Sequence, residues 1–125
     1  MASGNKKVMI VDDDKEITLF LQRYFEEKKL NVVAVTNPLE AEKKIIDEQP
    51  DLIFMDYRMA PVTGKDILEK LKALKLQIPV VMMSAYKSID GYYEVRRLGA
   101  IEYISKPYNF DEIDRILEQY LFSSP

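Results

Sequence analysis

Short apolar runs alternate along the chain with longer segments in which apolar residues recur at helical spacing. The five runs lie at 8–11, 32–35, 52–55, 80–83 and 101–104, and the first, third and fourth are apolar throughout. Continuous apolar runs of this length are typical of strands that are covered on both faces, as in a parallel sheet. The pattern therefore predicts five strands with a buried centre.

Four of the five segments that follow these runs carry a clear apolar stripe. Residues spaced three and four apart share one face of a helix. The stripes comprise Ile17, Phe20, Leu21, Tyr24 and Phe25; Leu39, Ala41, Ile45 and Ile46; Ile67, Leu68, Leu71 and Leu74; and Ile113, Ile116, Leu117, Tyr120 and Leu121. The segment 88–98 gives the weakest helical signal, because Gly91 lowers helix propensity.

Local signals agree with these helices. Asn37 and Asn109 stand where helices should begin, and Pro50 and Gly99 stand where helices should end. Five strands that alternate with helices imply a parallel sheet with right-handed crossovers.

We expect an α/β fold of the flavodoxin-like, doubly wound type, a three-layer sandwich whose five-stranded sheet has the order 2-1-3-4-5. One domain should cover residues 6–121, with flexible termini at 1–5 and 122–125.

Composition removes several classes of function. The 125 residues include 18 basic and 21 acidic ones, for a net charge of −3, and neither cysteine nor histidine occurs. Disulfides, thiolate or imidazole metal sites and histidine-dependent catalysis are excluded. A mildly acidic chain lacks the basic patch that nucleic-acid binding needs, and no apolar run could span a bilayer. We expect a cytoplasmic protein that binds neither nucleic acid nor membrane directly.

Acidic residues follow two strands that should be neighbours. Strand 1 is followed by Asp12, Asp13 and Asp14, and strand 3 by Asp56. In this fold, ligands bind beyond the carboxyl ends of strands at the point where the strand order reverses. Carboxylates gathered there repel each other and need a counter-ion, and oxygen ligands suit a hard divalent cation. This pattern predicts a Mg²⁺ site, with Mn²⁺ as an alternative ion.

The remaining strand ends suggest phosphate chemistry. Strand 4 is followed by Ser84, a hydroxyl donor, and strand 5 by Lys106, a point charge, and a carboxylate can form an aspartyl phosphate. Each residue alone has a simpler interpretation. Asp13 or Asp14 could cap the first helix, with Glu16 closing a capping box, and the others could be turn or surface residues. Their joint occurrence at the ends of adjacent strands favours the phosphate site.

This constellation resembles the receiver domain of two-component response regulators, over residues 6–121. The resemblance rests on five motifs, which are Val11-Asp12-Asp13, Asp56-Tyr57-Arg58-Met59, Gly64, Ser84-Ala85 and Lys106-Pro107. The sequence departs from the family at Ala60, which separates Met59 from Pro61, and at Ser84, where threonine is more common. The segments at 84–86 and 106–113 resemble single-domain phosphorelay receivers of the sporulation type.

The resemblance implies a metal-assisted phosphoacceptor. Asp56 corresponds to the residue that accepts the phosphoryl group. Asp12 and Asp13 correspond to the acidic pair that holds Mg²⁺, Asp13 directly and Asp12 through water. Asp56 and the main-chain carbonyl of Arg58 would complete the protein's metal ligands.

Three further positions correspond to phosphate-binding and switch residues. Lys106 matches the lysine that binds the phosphoryl group, and Ser84 matches the hydroxyl that moves toward it. Tyr103 matches the aromatic residue that rotates inward when that hydroxyl moves. Arg58 and Tyr86, each two residues beyond a site residue, are expected to shield the phosphoryl group from water and so to slow dephosphorylation.

The resemblance also implies partners. The phosphoryl group would come from a sensor histidine kinase or a histidine phosphotransfer protein, since this chain has no histidine. A surface formed by helix 4, strand 5 and helix 5 would then bind a partner, an output domain or a second copy. Tyrosine and arginine are enriched in interfaces. We expect Tyr92, Tyr93, Arg96, Arg97 and Tyr108 to contribute to that face, against the alternative of ordinary helix packing.

Two other functions stay open. An aspartate-dependent phosphohydrolase of the haloacid-dehalogenase type would use the Asp-x-Asp spacing of residues 12–14, although the Gly-Thr that should follow is missing. A degenerate receiver would act as a phosphorylation-independent binding module. We expect a signalling phosphoacceptor rather than an enzyme, which catalyses only its own phosphoryl transfer and slow autodephosphorylation.

Overall fold

The computed structural model describes residues 6–85, 89–106 and 108–122, and for residues 89 and 90 only the backbone. The expectations for Tyr86 and Pro107, and those for the termini at 1–5 and 123–125, fall outside the described residues.

Five parallel strands form one sheet in the predicted order β2-β1-β3-β4-β5. The strands are β1 Lys7–Val11, β2 Asn31–Val35, β3 Leu52–Asp56, β4 Val80–Ser84 and β5 Glu102–Ser105. Every residue of β3 and β4 is buried, which explains why residues 52–55 and 80–83 are apolar throughout. The doubly wound fold expected from the sequence is confirmed.

Five α-helices connect and follow the strands. They are α1 Lys15–Glu27, α2 Ala41–Glu48, α3 Gly64–Ala73, α4 Ile89–Arg97 and α5 Phe110–Leu117. A 3₁₀ turn, Pro38–Glu40, precedes α2, and a π-helical turn, Glu118–Phe122, follows α5. Regular structure therefore extends one residue into the segment 122–125, which we expected to be a flexible end.

The sheet separates two hydrophobic cores. Neighbouring residues of a strand point to opposite faces, so Met9 packs with α2, α3 and α4, while Ile10 packs with α1 and α5. Ile45, Ile67 and Val95 are buried in the first core. The result is the expected three-layer sandwich, with helices covering both faces of the sheet.

Some residues of the predicted apolar stripes lie on the surface instead. Leu39 belongs to the 3₁₀ turn and Leu74 follows the last residue of α3, so neither points at the sheet. Ile46 is also exposed, since the short α2 buries only Ala41 and Ile45. Periodicity alone overestimates the stripe, because it does not locate the ends of the helix.

Phe20 is a further exception within α1. Its side chain is 54% exposed. Its ring contacts the ring of Phe110 edge-on, with 5.6 Å between the centroids, rather than entering the core beneath α1.

Asp14, and not Asp13, caps α1. Its Oδ1 accepts hydrogen bonds from the backbone N–H groups of Glu16, at 3.0 Å, and Ile17, at 3.2 Å. The alternative of a capping box closed by Glu16 is wrong, because a box needs the third helical residue and that residue is Ile17. Asp13 therefore takes no part in capping α1.

The start of α3 lies directly against the end of β3. Thr63 and Asp66 form a capping box, with the Asp66 N–H donating to Thr63 Oγ1 at 3.1 Å and the Thr63 N–H donating to Asp66 Oδ2 at 3.0 Å. Gly64, which directly follows Thr63, donates its N–H to the carbonyl of Tyr57 at 3.0 Å. A β-carbon on Gly64 would overlap the carbonyl oxygen of Asp56. Only glycine therefore allows α3 to begin this close to Asp56.

We expect Gly64→Ala to lower the free energy of unfolding by about 1–3 kcal/mol, because the added methyl group meets backbone atoms that cannot move aside. Gly91→Ala, within α4, is the matched control. It should raise stability by up to about 1 kcal/mol through helix propensity. Urea unfolding measures both changes. A Gly64→Ala protein as stable as the parent would contradict the close approach.

Candidate functional site

Three carboxylates meet at the carboxyl edge of the sheet. Asp12 follows β1 and Asp56 ends β3, and these strands are hydrogen-bonded neighbours with Val11 beside Met55. One oxygen each from Asp12, Asp13 and Asp56 lies within 4.8 Å of the others. Asp12 and Asp56 are buried, whereas Asp13 is exposed. The cluster therefore opens to solvent on the side of Asp13.

Lys106 is the cation of this cluster. Its Nζ lies 3.0 Å from Asp12 Oδ2, to which it donates a hydrogen bond, and 3.4 Å from Asp56 Oδ1. The residue follows β5, and its backbone N–H donates to the carbonyl of Ser84 at 2.9 Å. When all four groups are ionised, three carboxylates face one ammonium group, which leaves a local excess of two negative charges.

Backbone and hydroxyl groups fix the acidic residues in place. Asp12 Oδ1 accepts from the Asp14 N–H at 3.0 Å, and Asp56 Oδ1 accepts from the Arg58 N–H at 3.4 Å. The buried Thr18 hydroxyl lies 3.1 Å from the carbonyl of Asp12 and 2.9 Å from that of Asp14. Our sequence interpretation missed Thr18. Its signal was a hydroxyl residue four positions after a helix cap, on the buried face of α1.

Burial and charge shift the acidity of Asp56. Burial raises the pKa of its carboxyl from the ordinary 3.8 to about 6, and the charge of Asp12 acts in the same direction. The charge of Lys106 and the Arg58 N–H oppose this effect without cancelling it. Burial lowers the pKa of Lys106, but its hydrogen bond to Asp12 and the charges of Asp12 and Asp56 outweigh burial and raise it.

Ser84 and Tyr103 occupy the two strands beyond Asp56. Ser84 ends β4 and is buried, with Asp56 paired to the preceding residue, Met83. Tyr103, on β5, is 5% exposed, so its ring already lies inward, and the inward rotation expected from the resemblance has no outward starting position in this structure. Its ring stacks on the ring of Tyr57, with centroids 6.2 Å apart and an interplanar angle of 19°.

Tyr57 links the site to two helices, which we did not predict. Its hydroxyl donates to Glu94 Oε1 of α4 at 2.8 Å, and Glu94 Oε2 lies 2.9 Å from Lys65 Nζ of α3. Burial, followed by the hydrogen bond to Glu94, raises the pKa of Tyr57 to about 12. The phenol therefore stays a hydrogen-bond donor throughout the physiological pH range.

The side chain of Arg58 lies beside the acidic cluster. It is exposed and lines a cavity of about 400 Å³ that also includes Asp13 and Thr63. The loop between Met59 and Gly64 has a cis peptide bond at Ala60–Pro61.

The aromatic and basic residues of α4 are exposed. Tyr92 and Tyr93 are both solvent-accessible, with their rings edge-on at 5.5 Å between centroids. The Arg96 guanidinium donates to the carbonyl groups of Ala100, at 3.2 Å, and Ile101, and Arg97 is exposed.

Tyr108 does not lie with these α4 residues. Its ring packs against the core of α1 and α5 and lines a cavity of about 470 Å³ together with Phe20, Lys106 and Phe110. Its hydroxyl is buried without a hydrogen-bond partner among the described residues. Burial, followed by the charges of Asp12, Asp56 and Asp14, raises the pKa of this phenol. Tyr108 is thus a neighbour of the acidic site rather than of α4.

The donor set fits a small, hard cation. Carboxylate and carbonyl oxygens are the ligands that Mg²⁺ prefers, and an excess of negative charge favours its binding. The exposed Asp13 gives access from solvent. The same edge presents Lys106 and Ser84, an ammonium group and a hydroxyl that can bind phosphoryl oxygens.

Comparisons with known proteins agree with this geometry. The chain matches the response regulator receiver domain over residues 8–118, and it belongs to that family. It is 32% identical over 117 residues to sporulation initiation phosphotransferase F of Bacillus subtilis, covering 94% of each chain. It is 33% identical over 121 residues to the transcriptional regulatory protein ZraR of Escherichia coli. It spans only 27% of ZraR.

Solved structures show the same fold. The receiver domain of the Francisella response regulator 1452 superposes with a TM-score of 0.88 at 29% identity, covering 94% of this chain and 98% of that one. A CheY-like receiver domain protein of Methanospirillum hungatei gives a TM-score of 0.85 at 28% identity, over 92% and 93% of the two chains. The family expected from the sequence is confirmed. Within the described part of the chain, no helix is long and apolar enough to cross a membrane.

The raised pKa of Asp56 predicts how stability depends on pH in metal-free protein. Ionisation of Asp56 is less favourable in the folded than in the unfolded chain, so the protonated carboxyl favours the folded state. This contribution to the free energy of unfolding is complete below about pH 4 and is lost as pH rises through about 6. Asp56→Asn should therefore be more stable than the parent at neutral pH, by about 1–3 kcal/mol.

Urea unfolding in a chelator between pH 4 and pH 8 measures this effect. Asp47→Asn, which removes an exposed carboxylate from α2, controls for the loss of a surface charge. An Asp56→Asn protein that is less stable than the parent at neutral pH would show that ionised Asp56 does not destabilise the folded chain.

Proposed function

We propose that the chain accepts a phosphoryl group on Asp56 from a partner's phosphohistidine and signals the change through α4, β5 and α5. The observation that carries the proposal is the grouping of Asp56 with two acidic residues, within 4.8 Å, and with Lys106 Nζ, at 3.4 Å, at the carboxyl edge of the sheet. Membership of the receiver family supports it.

The transfer is a displacement at phosphorus. A carboxylate oxygen of Asp56 attacks, a P–O bond forms, and the P–N bond to the partner's imidazole breaks, which leaves an acyl phosphate and a free histidine. Lys106 neutralises charge on the phosphoryl oxygens, and the Ser84 hydroxyl donates a hydrogen bond to one of them. The donor belongs to another molecule, a sensor histidine kinase or a histidine phosphotransfer protein, because this chain has no histidine.

Asp12, Asp13, Asp56 and the main-chain carbonyl of Arg58 would hold Mg²⁺, for which Mn²⁺ can substitute. When bound, the ion supplies charge neutralisation between the nucleophile and the phosphoryl oxygens. Its fit rests on the oxygen-only donor set and on the local charge excess of the cluster.

The signal follows from local charge and packing. An aspartyl phosphate adds about −1.5 to −2 of charge at the end of β3, by analogy with other phosphorylated residues. Ser84 moves toward the phosphoryl group, and Tyr103 keeps its inward position as the space beside it changes. Such a change biases a bistable surface toward a second arrangement.

The partner surface comprises Tyr92, Tyr93, Arg96 and Arg97 of α4. Their exposure supports contact with a partner, an output domain or a second copy. We leave Tyr108 out of this surface, because its ring packs beside α1 with a buried hydroxyl. We place the protein in the cytoplasm and assign the receiver unit to residues 6–121. The phosphotransferase named among its relatives supports a role in a phosphorelay.

Acetyl phosphate with Mg²⁺ tests the acceptor directly. We expect intact-protein mass spectrometry to find one phosphoryl group on the parent and on Asp47→Asn, and none on Asp56→Asn. Lys106→Met should be labelled more slowly, because it loses the charge that binds the phosphoryl group. Labelling of Asp56→Asn equal to that of the parent, or steady phosphate release from varied monoesters, would contradict a receiver.

Arg58 and Tyr86 should slow dephosphorylation by restricting access of water to the phosphoryl group. The double variant Arg58→Ala/Tyr86→Ala is expected to lose its phosphoryl group several times faster than the parent. Arg97→Ala/Tyr93→Ala removes the same residue types from α4 and should decay at the parental rate. Decay is followed by mass spectrometry after removal of the donor, and an unchanged rate in the first double variant would exclude the shielding role.

A further inference from the structure

A carboxylate on α4 is held from two sides beside the acceptor. Glu94 Oε1 accepts a hydrogen bond from the Tyr57 hydroxyl at 2.8 Å, and Glu94 Oε2 lies 2.9 Å from Lys65 Nζ. Tyr57 directly follows Asp56, and Lys65 lies in the first turn of α3. We call these three residues the Glu94 tether. It joins the acceptor loop, α3 and α4 at one point.

The Tyr57 end of the tether is fixed to the sheet. The Tyr57 N–H donates to the carbonyl of Met83 at 2.7 Å, and its carbonyl accepts from the Gly64 N–H at 3.0 Å. Its ring stacks on Tyr103. Tyr57 therefore cannot follow a movement of α4 without losing these contacts.

The α4 end is less firmly held. Among the side chains described for α4, Val95 is the one that is fully buried, whereas those at 92, 93, 96 and 97 are exposed. Lys72 of α3 adds a hydrogen bond to the carbonyl of Arg97 at 3.1 Å, at the far end of the helix. The described side chains of α4 thus bury little apolar surface, and segments of this kind can change position at low cost.

The connection between Ser84 and α4 is short. Ser84 ends β4, and α4 begins at Ile89. Because so few residues separate them, we expect a movement of Ser84 toward a phosphoryl group to draw the start of α4 with it and to shift Glu94 relative to Tyr57. The contact between Tyr57 and Glu94 would then exist in only one of the two arrangements.

We propose that the hydrogen bond from Tyr57 to Glu94 holds α4 in its unphosphorylated position and is released when Asp56 carries a phosphoryl group. This inference rests on the proposed phosphoacceptor function. Tyr57 is a positioning residue, since it acts through α4 and does not touch the phosphoryl group. A ligand shifts an equilibrium only by its differential affinity for the two states. A contact present only in the free state therefore opposes phosphorylation.

Within the Glu94 tether, the hydrogen bond from Tyr57 should hold α4 more strongly than the ion pair with Lys65. The side chains of Lys65 and Glu94 are 34% and 37% exposed, and ion pairs with such exposure contribute little. A hydrogen bond from a half-buried phenol to a carboxylate is charge-assisted and stronger.

The chain contains a matched control on the opposite face of the sheet. The Tyr24 hydroxyl donates to Asp114 Oδ1 at 2.6 Å, and Lys28 Nζ lies 3.2 Å from the same oxygen. This group also combines a tyrosine, a carboxylate and a lysine, and it joins α1 to α5. It contains no residue next to Asp56, so its loss should affect stability without affecting the acceptor.

Beryllofluoride with Mg²⁺, a phosphoryl analogue, tests the tether in the full chain. Calorimetry gives its affinity, and amide NMR gives the position of α4. We expect Tyr57→Phe, which keeps the stacked ring, to bind about 3- to 10-fold more tightly, as loss of one charge-assisted hydrogen bond permits. Amide resonances of α4 should shift, in the free variant, toward their positions in the bound parent. Glu94→Gln should change both readouts in the same direction, and Tyr24→Phe neither.

Unchanged or weaker binding by Tyr57→Phe would overturn the proposal, as would equal tightening by Tyr24→Phe. A merely structural role would lower the stability of both tyrosine variants and leave affinity unchanged, which also contradicts it. Failure of the proposed function looks different. In that case the parent would not bind beryllofluoride, or Asp56→Asn would bind it equally well.

Discussion

The attraction between Lys106 and the buried carboxylates of Asp12 and Asp56 is the interaction on which the site depends. Lys106 Nζ lies 3.0 Å from one and 3.4 Å from the other. Burying either carboxylate without this cation would be strongly unfavourable. One ammonium group nevertheless cannot balance three carboxylates, and burial and Asp12 still raise the pKa of Asp56 to about 6. The folded chain thus keeps a charge imbalance that a bound cation would relieve and that the proposed phosphoryl group on Asp56 would redistribute.

The fold imposes this imbalance through the backbone. The pairing of β1 with β3 brings Asp12 and Asp56 to the same edge, and the Thr18 hydroxyl fixes the turn after β1. Gly64 lets α3 begin against the carbonyl of Asp56. Each element has an ordinary structural cause, but together they hold like charges close. Such strain is typical of functional sites, where stability is reduced in exchange for reactivity.

Strand order and the meeting of Asp12 with Asp56 could be predicted because both follow from long-range rules of parallel sheets. The choice between Asp13 and Asp14 as a cap could not, since both residue types cap helices and only the helix start separates them. Phe20 also follows the helical period but is exposed, because it lies at the edge of its stripe. The contact between Tyr57 and Glu94 joins residues 37 positions apart and leaves no local pattern.

Magnesium binding by Asp13 and Asp14 variants tests the charge imbalance most directly. We expect calorimetric titration to show that Asp13→Ala loses most of the parent's affinity for Mg²⁺, because it removes the solvent-facing ligand. Asp14→Ala should bind Mg²⁺ like the parent, while its free energy of unfolding falls by about 1 kcal/mol through loss of the helix cap. Parental Mg²⁺ affinity in Asp13→Ala would show that the three carboxylates do not form one cation site.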